Sequence, residues 1–382
     1  MTIPAAGHDI AIVGVGHSDF GALYRHRDEF RDAFGLGAAA LRAAIDDAGV
    51  DKGDIDAMIC SRVDYARMAT VAGLRNLHFV HDLEGSGRMS GIAVQEAIGL
   101  IRAGLATTVA LIYGNNGRSV AMKYGGEGES AGSTDAYNWI YGMTSPGASV
   151  ALMYQRYRNL YGAPDDALAP LALNQRRNAS LNPVAVMRKE LTLGEYLASR
   201  YIAEPMRLFD YCLINDGGVA LIVTTLDRAR DLKKTPVTIA ATAGGAELRN
   251  YYQSEDFFYG ASANVAERLY AQAGIGPLDM DILQVYDNFL PTILFSLEGF
   301  GHTERGTAWQ WIQDGRISLE GPRPVNTAGG HTSESYMQGW AHHVEAVRQL
   351  RGEAGDRQVP NCRVAQYICV APVLTAHVLT AS

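Results

Sequence analysis

The apolar positions of this chain follow two alternating rhythms, and their order repeats. "IAIVGVG" (10–16) is an unbroken apolar run short enough for a buried strand, and "GAAALRAAIDD" after it places apolar residues at helical spacing. A shift of 225 residues lays "AGVDKGDIDAMIC" (Ala48 to Cys60) on "AGIGPLDMDILQV" (Ala273 to Val285) without a gap. Each copy follows a helix-period stretch and ends in a short apolar run. Another strand candidate precedes each, "IAIVGVG" and "VTIAATAGG". A second helix and strand follow each, "IAVQEAIGLIRAGLATTVALIYG" in one case and "AHHVEAVRQLRG" with "CRVAQYICVA" in the other.

The pattern predicts two similar α/β halves, 1–225 and 226–382. Their seam falls in "TTLDRARDLKKTP" (Thr224 to Pro236), where charge rises and a proline precedes the next strand. Strands alternating with helices imply mostly parallel sheets, with functional groups at strand C-terminal ends and helix N-termini. Between Gly114 and Ser149 the composition turns to Gly, Ser and Asn, which marks a loop insertion over about 114–200 and a candidate lid or binding element. Further on, "ASVALMYQRYRNLYG" and "LTLGEYLASRYIA" read as helices, and Asn215-Asp-Gly-Gly as a turn entering an apolar strand.

Composition narrows the functional classes. The chain has 382 residues, 47% of them hydrophobic and 19% charged, enough for one large core or two ordinary ones. No apolar run approaches the roughly 18 residues that span a bilayer, and "MTIPAAGHDI" lacks the features of a secretion signal, so a cytoplasmic location is expected. Four scattered cysteines (Cys60, Cys212, Cys362, Cys369) form no CxxC pair, which argues for reduced thiols and against a disulfide framework or structural zinc. A net charge of -8 without a dense Lys/Arg stripe argues against a nucleic-acid partner. "GVGHSDFG" after the first strand has Asp19 where a dinucleotide loop needs its third glycine. No metal is expected: His342 and His343 are adjacent, so on a helix they point about 100° apart and cannot both face one ion. No lysine lies near the tyrosine motifs described next, which leaves a Schiff-base mechanism without its amine.

Two such halves, each with a loop opening into a central helix, resemble the thiolase fold over nearly the whole chain. "NASLNPVAVMRKELTLGEYLASRYIAEPMRLFDYCLINDGGVALIV" (Asn178 to Val223) is similar to the sterol-carrier-protein-x-type thiolases and their lipid-transfer-protein relatives. The resemblance implies an α/β class with pseudo-repeated βαβαβαββ halves in five layers, αβαβα. The family's chemical turns are altered here. Gly87 in "GRMSGIA" stands where the nucleophilic cysteine belongs, and glycine has nothing to acylate. Ser86 is the nearest hydroxyl, without an evident base. "YDNF" puts Tyr286 in a His/Asn position, and "SYMQG" puts Tyr336 where a histidine belongs, in front of the last central helix. Cys369 matches the family's acid/base cysteine, but the "AP" after it reshapes that turn.

The two tyrosine motifs resemble thiolase-like aldolases that cleave side chains from steroid acyl-CoA thioesters. The resemblance implies a retro-aldol step on a 3-hydroxyacyl-CoA, giving a ketone and a shortened acyl-CoA, with CoA present only as part of the substrate and no other cofactor. Such a step needs a base for the hydroxyl, donors for the thioester enolate and an acid to protonate it. Tyr286 and Tyr336 are the candidate acid and base in either order. Asn288 and the backbone N–H groups of Gly87 and Gly330 are candidates for the thioester oxygen. Holding phenolate at pH 7 costs about 4 kcal/mol, of which a helix N-terminus offsets about 0.3 to 1, so a protonated neighbour, with His331 the candidate, or a hydrogen bond from Tyr286 would have to supply the remainder. The glycines before Tyr336 are expected to let substrate approach the backbone. The resemblance also implies a homodimer and a separate acyl-CoA-binding subunit of OB fold and zinc ribbon, together a heterotetramer. Two other readings are a thiolase or Claisen-type enzyme using Cys369 or Ser86, and a non-catalytic lipid-CoA-binding subunit.

Overall fold

Glycines in the strands decide how closely the helices lie on the sheet. A computed structural model describes residues 9–26, 32–85, 88–123, 145–248 and 254–381. In β1 (Ile10–His17), a Cβ on Gly14 or Gly16 would sit 2.2 Å from the carbonyl oxygen of Ala44 or Ala40. Both carbonyls belong to α1 (Ala33–Ala48), which therefore lies directly on the strand. The first two glycines of "GVGHSDFG" thus serve helix packing. Asp32 caps α1 by accepting from Gly35 N at 2.8 Å, and Gly49 ends it in the left-handed region that favours glycine.

The first half continues through β2 (Ala57–Ser61), α2 (Tyr65–Ala72), β3 (Phe79–Asp82), α3 (Met89–Arg102) and β4 (Thr108–Asn115). Helices α4 (Pro146–Tyr161) and α5 (Ala169–Ser180) and a small hairpin, β5 (Tyr201–Ala203) with β6 (Met206–Arg207), precede β7 (Gly217–Thr225). The second half runs β8 (Val237–Ala246), α6 (Tyr259–Ala273), β9 (Ile282–Val285), α7 (Pro291–Gly299), α8 (Trp340–Arg351), β10 (Val364–Cys369) and β11 (Val373–Ala381).

Hydrogen bonds order the strands β3-β2-β4-β7-β1-β8-β11-β10-β9. A parallel bridge from Leu283 to Val325 adds the counterpart of β3 outside β9, so the second half mirrors the first strand for strand. Among the described residues, the strands of the two halves join at Ala11↔Thr238 and Ile12↔Val237. Outer helices α1 and α6 cover β1, β4, β7 and β8, β11 respectively. The middle layer is α3 and α8: α3 packs on β4 and β7 and reaches β11, while α8 packs on β9 and β10 and reaches β1 and β7. Trp340 of α8 stacks on Tyr113 of β4 at 5.9 Å, fastening one half to the other.

Two expectations need correction. The sheet is mixed, because among its described strand pairs only β2–β3, β2–β4 and β9–β10 are parallel. The last strand of each half inserts antiparallel between its fourth and first strands, a placement that local periodicity does not encode. "LTLGEYLASRYIA" is helical only over Leu193–Leu197, after which Tyr201–Ala203 enters the hairpin. Most of the Gly/Ser/Asn stretch, 124–144, lies outside the described residues, as do Ser86 and Gly87.

Candidate active site

Tyr286 leaves the C-terminal end of β9, where its N–H donates to Ile368 O at 2.8 Å. The turn that follows is short because Pro291 starts α7 at once, and Thr292 Oγ1 donates to Tyr286 O at 3.1 Å. Tyr336 comes from the loop between a one-turn π-helix, Gly330–Glu334, and α8. Helix α8 begins at Trp340, so the tyrosine lies ahead of the helix instead of on its first turn. Its N–H donates to Asn215 Oδ1 at 2.7 Å, and Asn115 Nδ2 donates to Asn215 O at 2.9 Å. Both tyrosines are buried, and their hydroxyls lie 3.1 Å apart. They form one small apolar cluster with Tyr367, Cys369 and Ala371.

His331 stands edge-on to both rings, 4.8 Å from Tyr286 and 5.1 Å from Tyr336 by centroid. Its Nε2 accepts from Gly339 N at 2.9 Å, so the neutral ring carries its hydrogen on Nδ1. That atom lies 3.2 Å from Asp287 Oδ1, in a bent contact outside hydrogen-bond geometry. Burial pushes His331 down to about 3, and the neighbouring His342 adds to this against the pull of Asp287. The expected protonated histidine is therefore corrected: at pH 7 the ring is neutral, and both its nitrogens face groups other than the phenols.

Asp287 is fully buried. Burial raises its carboxyl, but His331 and the hydrogen bond from His342 outweigh that and hold it below its ordinary value. The carboxylate takes His331 N–H at 3.0 and 3.1 Å, Gln175 Nε2 at 2.7 Å and His342 Nε2 at 3.0 Å. The ligand atoms of Asp287, His331 and His342 come within 4.8 Å of one another, a carboxylate–imidazole cluster that neighbouring His342 and His343 did not reveal. The donor set opposes a cation there. Coordination through His331 Nδ1 would put the ring hydrogen on Nε2, against Gly339 N–H, and the carboxylate is already occupied.

The glycines serve the protein's own packing rather than substrate approach. A Cβ on Gly330 (φ 59°) would meet Asp287 Oδ2 at 2.5 Å. One on Gly339 (φ 89°) would meet Ser90 Oγ and Tyr367 Oη, both at 2.6 Å. Asn288 is buried in the Tyr286 turn, and its carbonyl accepts from Cys212 N at 3.0 Å. Burial pushes the Cys369 thiol up to about 12, although Arg88 and Tyr367 pull it down, so it stays protonated at neutral pH. Asn215, Gln175 and His342 complete the arrangement. Asn215 read only as a turn residue, and nothing local marked the other two.

The chain is 34% identical over 357 residues to a 17-hydroxy-3-oxo-4-pregnene-20-carboxyl-CoA lyase of Mycobacterium tuberculosis, covering 90% of this chain and 91% of that protein. The chain belongs to the aldolase-type lyase branch of the thiolase superfamily. This lyase is also 33% identical to a steroid side-chain-cleaving aldolase of Thermomonospora curvata, covering 90% of each. A family model described as thiolase C-terminal domain-like matches its residues 243–380. The solved Ltp2-ChsH2(DUF35) aldolase superposes with a TM-score of 0.88 at 31% identity, covering 100% of this lyase and 99% of that chain. A monomeric SCP2-thiolase-like protein of Mycobacterium smegmatis, at 19% identity and a TM-score of 0.74, shares the fold over 100% of this chain and 78% of its own.

Proposed function

We propose that this lyase performs a retro-aldol cleavage of a 3-hydroxyacyl-CoA thioester of the steroid side-chain class, giving a ketone and a shortened acyl-CoA. The observation that carries the reading is the 3.1 Å contact between the Tyr286 and Tyr336 hydroxyls in a buried cluster that also holds a protonated thiol. In this reading the C3 hydroxyl gives its proton to the Tyr336 oxygen as Tyr336 passes its own proton to Tyr286, the C2–C3 bond breaks, and its electron pair becomes the thioester enolate. Tyr286 protonates that carbon. A proton passed from Tyr336 to Tyr286 across 3.1 Å returns both phenols to their starting state, so the pair needs neither a covalent intermediate nor an outside base. Asn288 and the backbone N–H of Gly87 remain the proposed donors to the thioester oxygen. The backbone N–H of Gly330 is the third proposed donor.

The relatives supply the substrate class, since one is named for a steroid carboxyl-CoA and one for steroid side-chain cleavage. The solved neighbour is named for two components. We extend the proposal to a cytoplasmic homodimer joined by a separate acyl-CoA-binding subunit of OB fold and zinc ribbon, a heterotetramer. Among the described residues no helix is long and apolar enough to cross a membrane.

The test is incubation with a tertiary 3-hydroxyacyl-CoA bearing a steroid side chain, alone and with a candidate partner subunit. Release of ketone and shortened acyl-CoA supports the proposal. Acyl transfer that depends on free CoA would replace it with a thiolase or Claisen reaction, and binding without turnover would replace it with a carrier role.

A further inference from the structure

The loop that carries Tyr336 is closed at its neck by a side chain. His331 Nε2 accepts Gly339 N–H at 2.9 Å, joining the π-turn to the start of α8, while Tyr336 between them is pinned to Asn215 at 2.7 Å. The neck bond exists only when Nε2 has a free lone pair, so the position of a single hydrogen on His331 decides whether the loop is held. Three residues from separate elements bear on that hydrogen. Asp287 lies in the Tyr286 turn, receives the His331 main-chain N–H and faces Nδ1 at 3.2 Å. His342 on α8 donates to Asp287 at 3.0 Å, and Gln175 on α5 donates to it at 2.7 Å. Gln175 is itself oriented by the Thr332 hydroxyl, which donates to its Oε1.

We propose that Asp287, His342 and Gln175 are positioning residues for the tyrosine pair: they fix His331 as the Nδ1-protonated ring, and that ring keeps the Tyr336 loop against the Tyr286 turn. The opposite tautomer would set an N–H of the ring against the N–H of Gly339, opening the neck and releasing the 3.1 Å contact between the phenols. Asp287 thus ties both tyrosines to one carboxylate without touching either hydroxyl. The inference rests on the retro-aldol reading for its kinetic consequence, but the tautomer is a property of the unliganded protein.

Two measurements test it. With 15N-labelled histidine, long-range proton–nitrogen NMR of the wild-type chain, assigned by comparison with H331Q, should show His331 neutral with its hydrogen on Nδ1 from pH 5 to pH 8. A ring protonated on Nε2, or one that titrates in that range, overturns the proposal whether or not the enzyme turns over. In the cleavage assay, H342A and Q175A should lower kcat by about 10- to 100-fold with KM nearly unchanged, the range seen when outer hydrogen-bond partners are removed. H342Q, which keeps an N–H aimed at Asp287, should recover most of the loss. Wild-type kcat in H342A overturns the positioning role. Absence of turnover in the wild type would instead count against the retro-aldol reading, with the NMR result left standing.

Discussion

Replacing Tyr336 with phenylalanine separates chemistry from architecture. The Y336F variant would keep the ring that lies edge-on to His331 at 5.1 Å and the main-chain bond to Asn215, and would lose only the hydroxyl 3.1 Å from Tyr286. A neutral hydrogen bond contributes about 0.5–1.5 kcal/mol net to stability. At about 2–4 °C per kcal/mol for chains of some 200 residues, the melting temperature should fall by a few degrees at most. A positioned acid/base group contributes about 10²- to 10⁴-fold in rate, which is about 2.7–5.5 kcal/mol of barrier. The catalytic loss should therefore exceed the stability loss several-fold. The assay is ketone release from the steroid 3-hydroxyacyl-CoA, followed chromatographically beside a thermal melt, for Y336F, Y286F and the double variant. Because the proposed relay fails when either hydroxyl is missing, the double variant should be little worse than the single ones. Turnover of Y336F within threefold of wild type, or a double loss equal to the product of the single losses, would refute the relay.

The C369A variant should retain cleavage within about threefold, since a thiol pushed up to about 12 does not act as a thiolate, and Cys369 in the native protein should resist iodoacetamide at pH 8 when peptides are read by mass spectrometry. Stability should peak near pH 6.5. His302, His331 and His377 are each held near 3 by burial, so the unfolded chain takes up their protons first, and stability falls with acid below 6.5 by about 1.4 kcal/mol per pH unit for each. Glu334, raised by burial to about 8, and Asp210, raised by burial to about 7, act in the opposite sense: they oppose part of that acid loss and lower stability as pH rises from 6.5 to 8. Urea midpoints at pH 5, 6.5 and 8 check both limbs. The G330A variant should lose more than about 2 kcal/mol and nearly all activity, because its Cβ would sit 2.5 Å from Asp287 Oδ2 at a left-handed backbone angle; a folded, active G330A in a urea titration would contradict the packing described.

The elements were legible where periodicity is local. "IAIVGVG" became β1 and "VTIAATAGG" became β8, and the duplicated segment gave α1 with β2 and α6 with β9. The insertion of β7 between β4 and β1 was not legible, because pairing partners separated by over a hundred residues leave no trace in a window of a dozen. At the site, the exchanged tyrosines stood out as chemistry out of place, and the fold brings their hydroxyls together. The company they keep could not be read. Adjacency showed that His342 and His343 diverge on their helix, but not that His342 would meet Asp287 from another strand end. Paired glycines before Tyr336 looked like room for a ligand, and only coordinates reveal that Ala179, Asp287 and Gln175 already occupy that room.

Asn215 belongs to the first half of the chain and holds the main chain of Tyr336 in the second, as Ser90 meets Tyr367 at 3.0 Å across the same boundary. The internal repeat thus divides the proposed relay between its halves, one bearing both phenols and the other holding the main chain beneath one of them. Selection on turnover would accordingly register harm from substitutions scattered through a half that carries neither phenol, and neither half expressed by itself should rebuild a working centre.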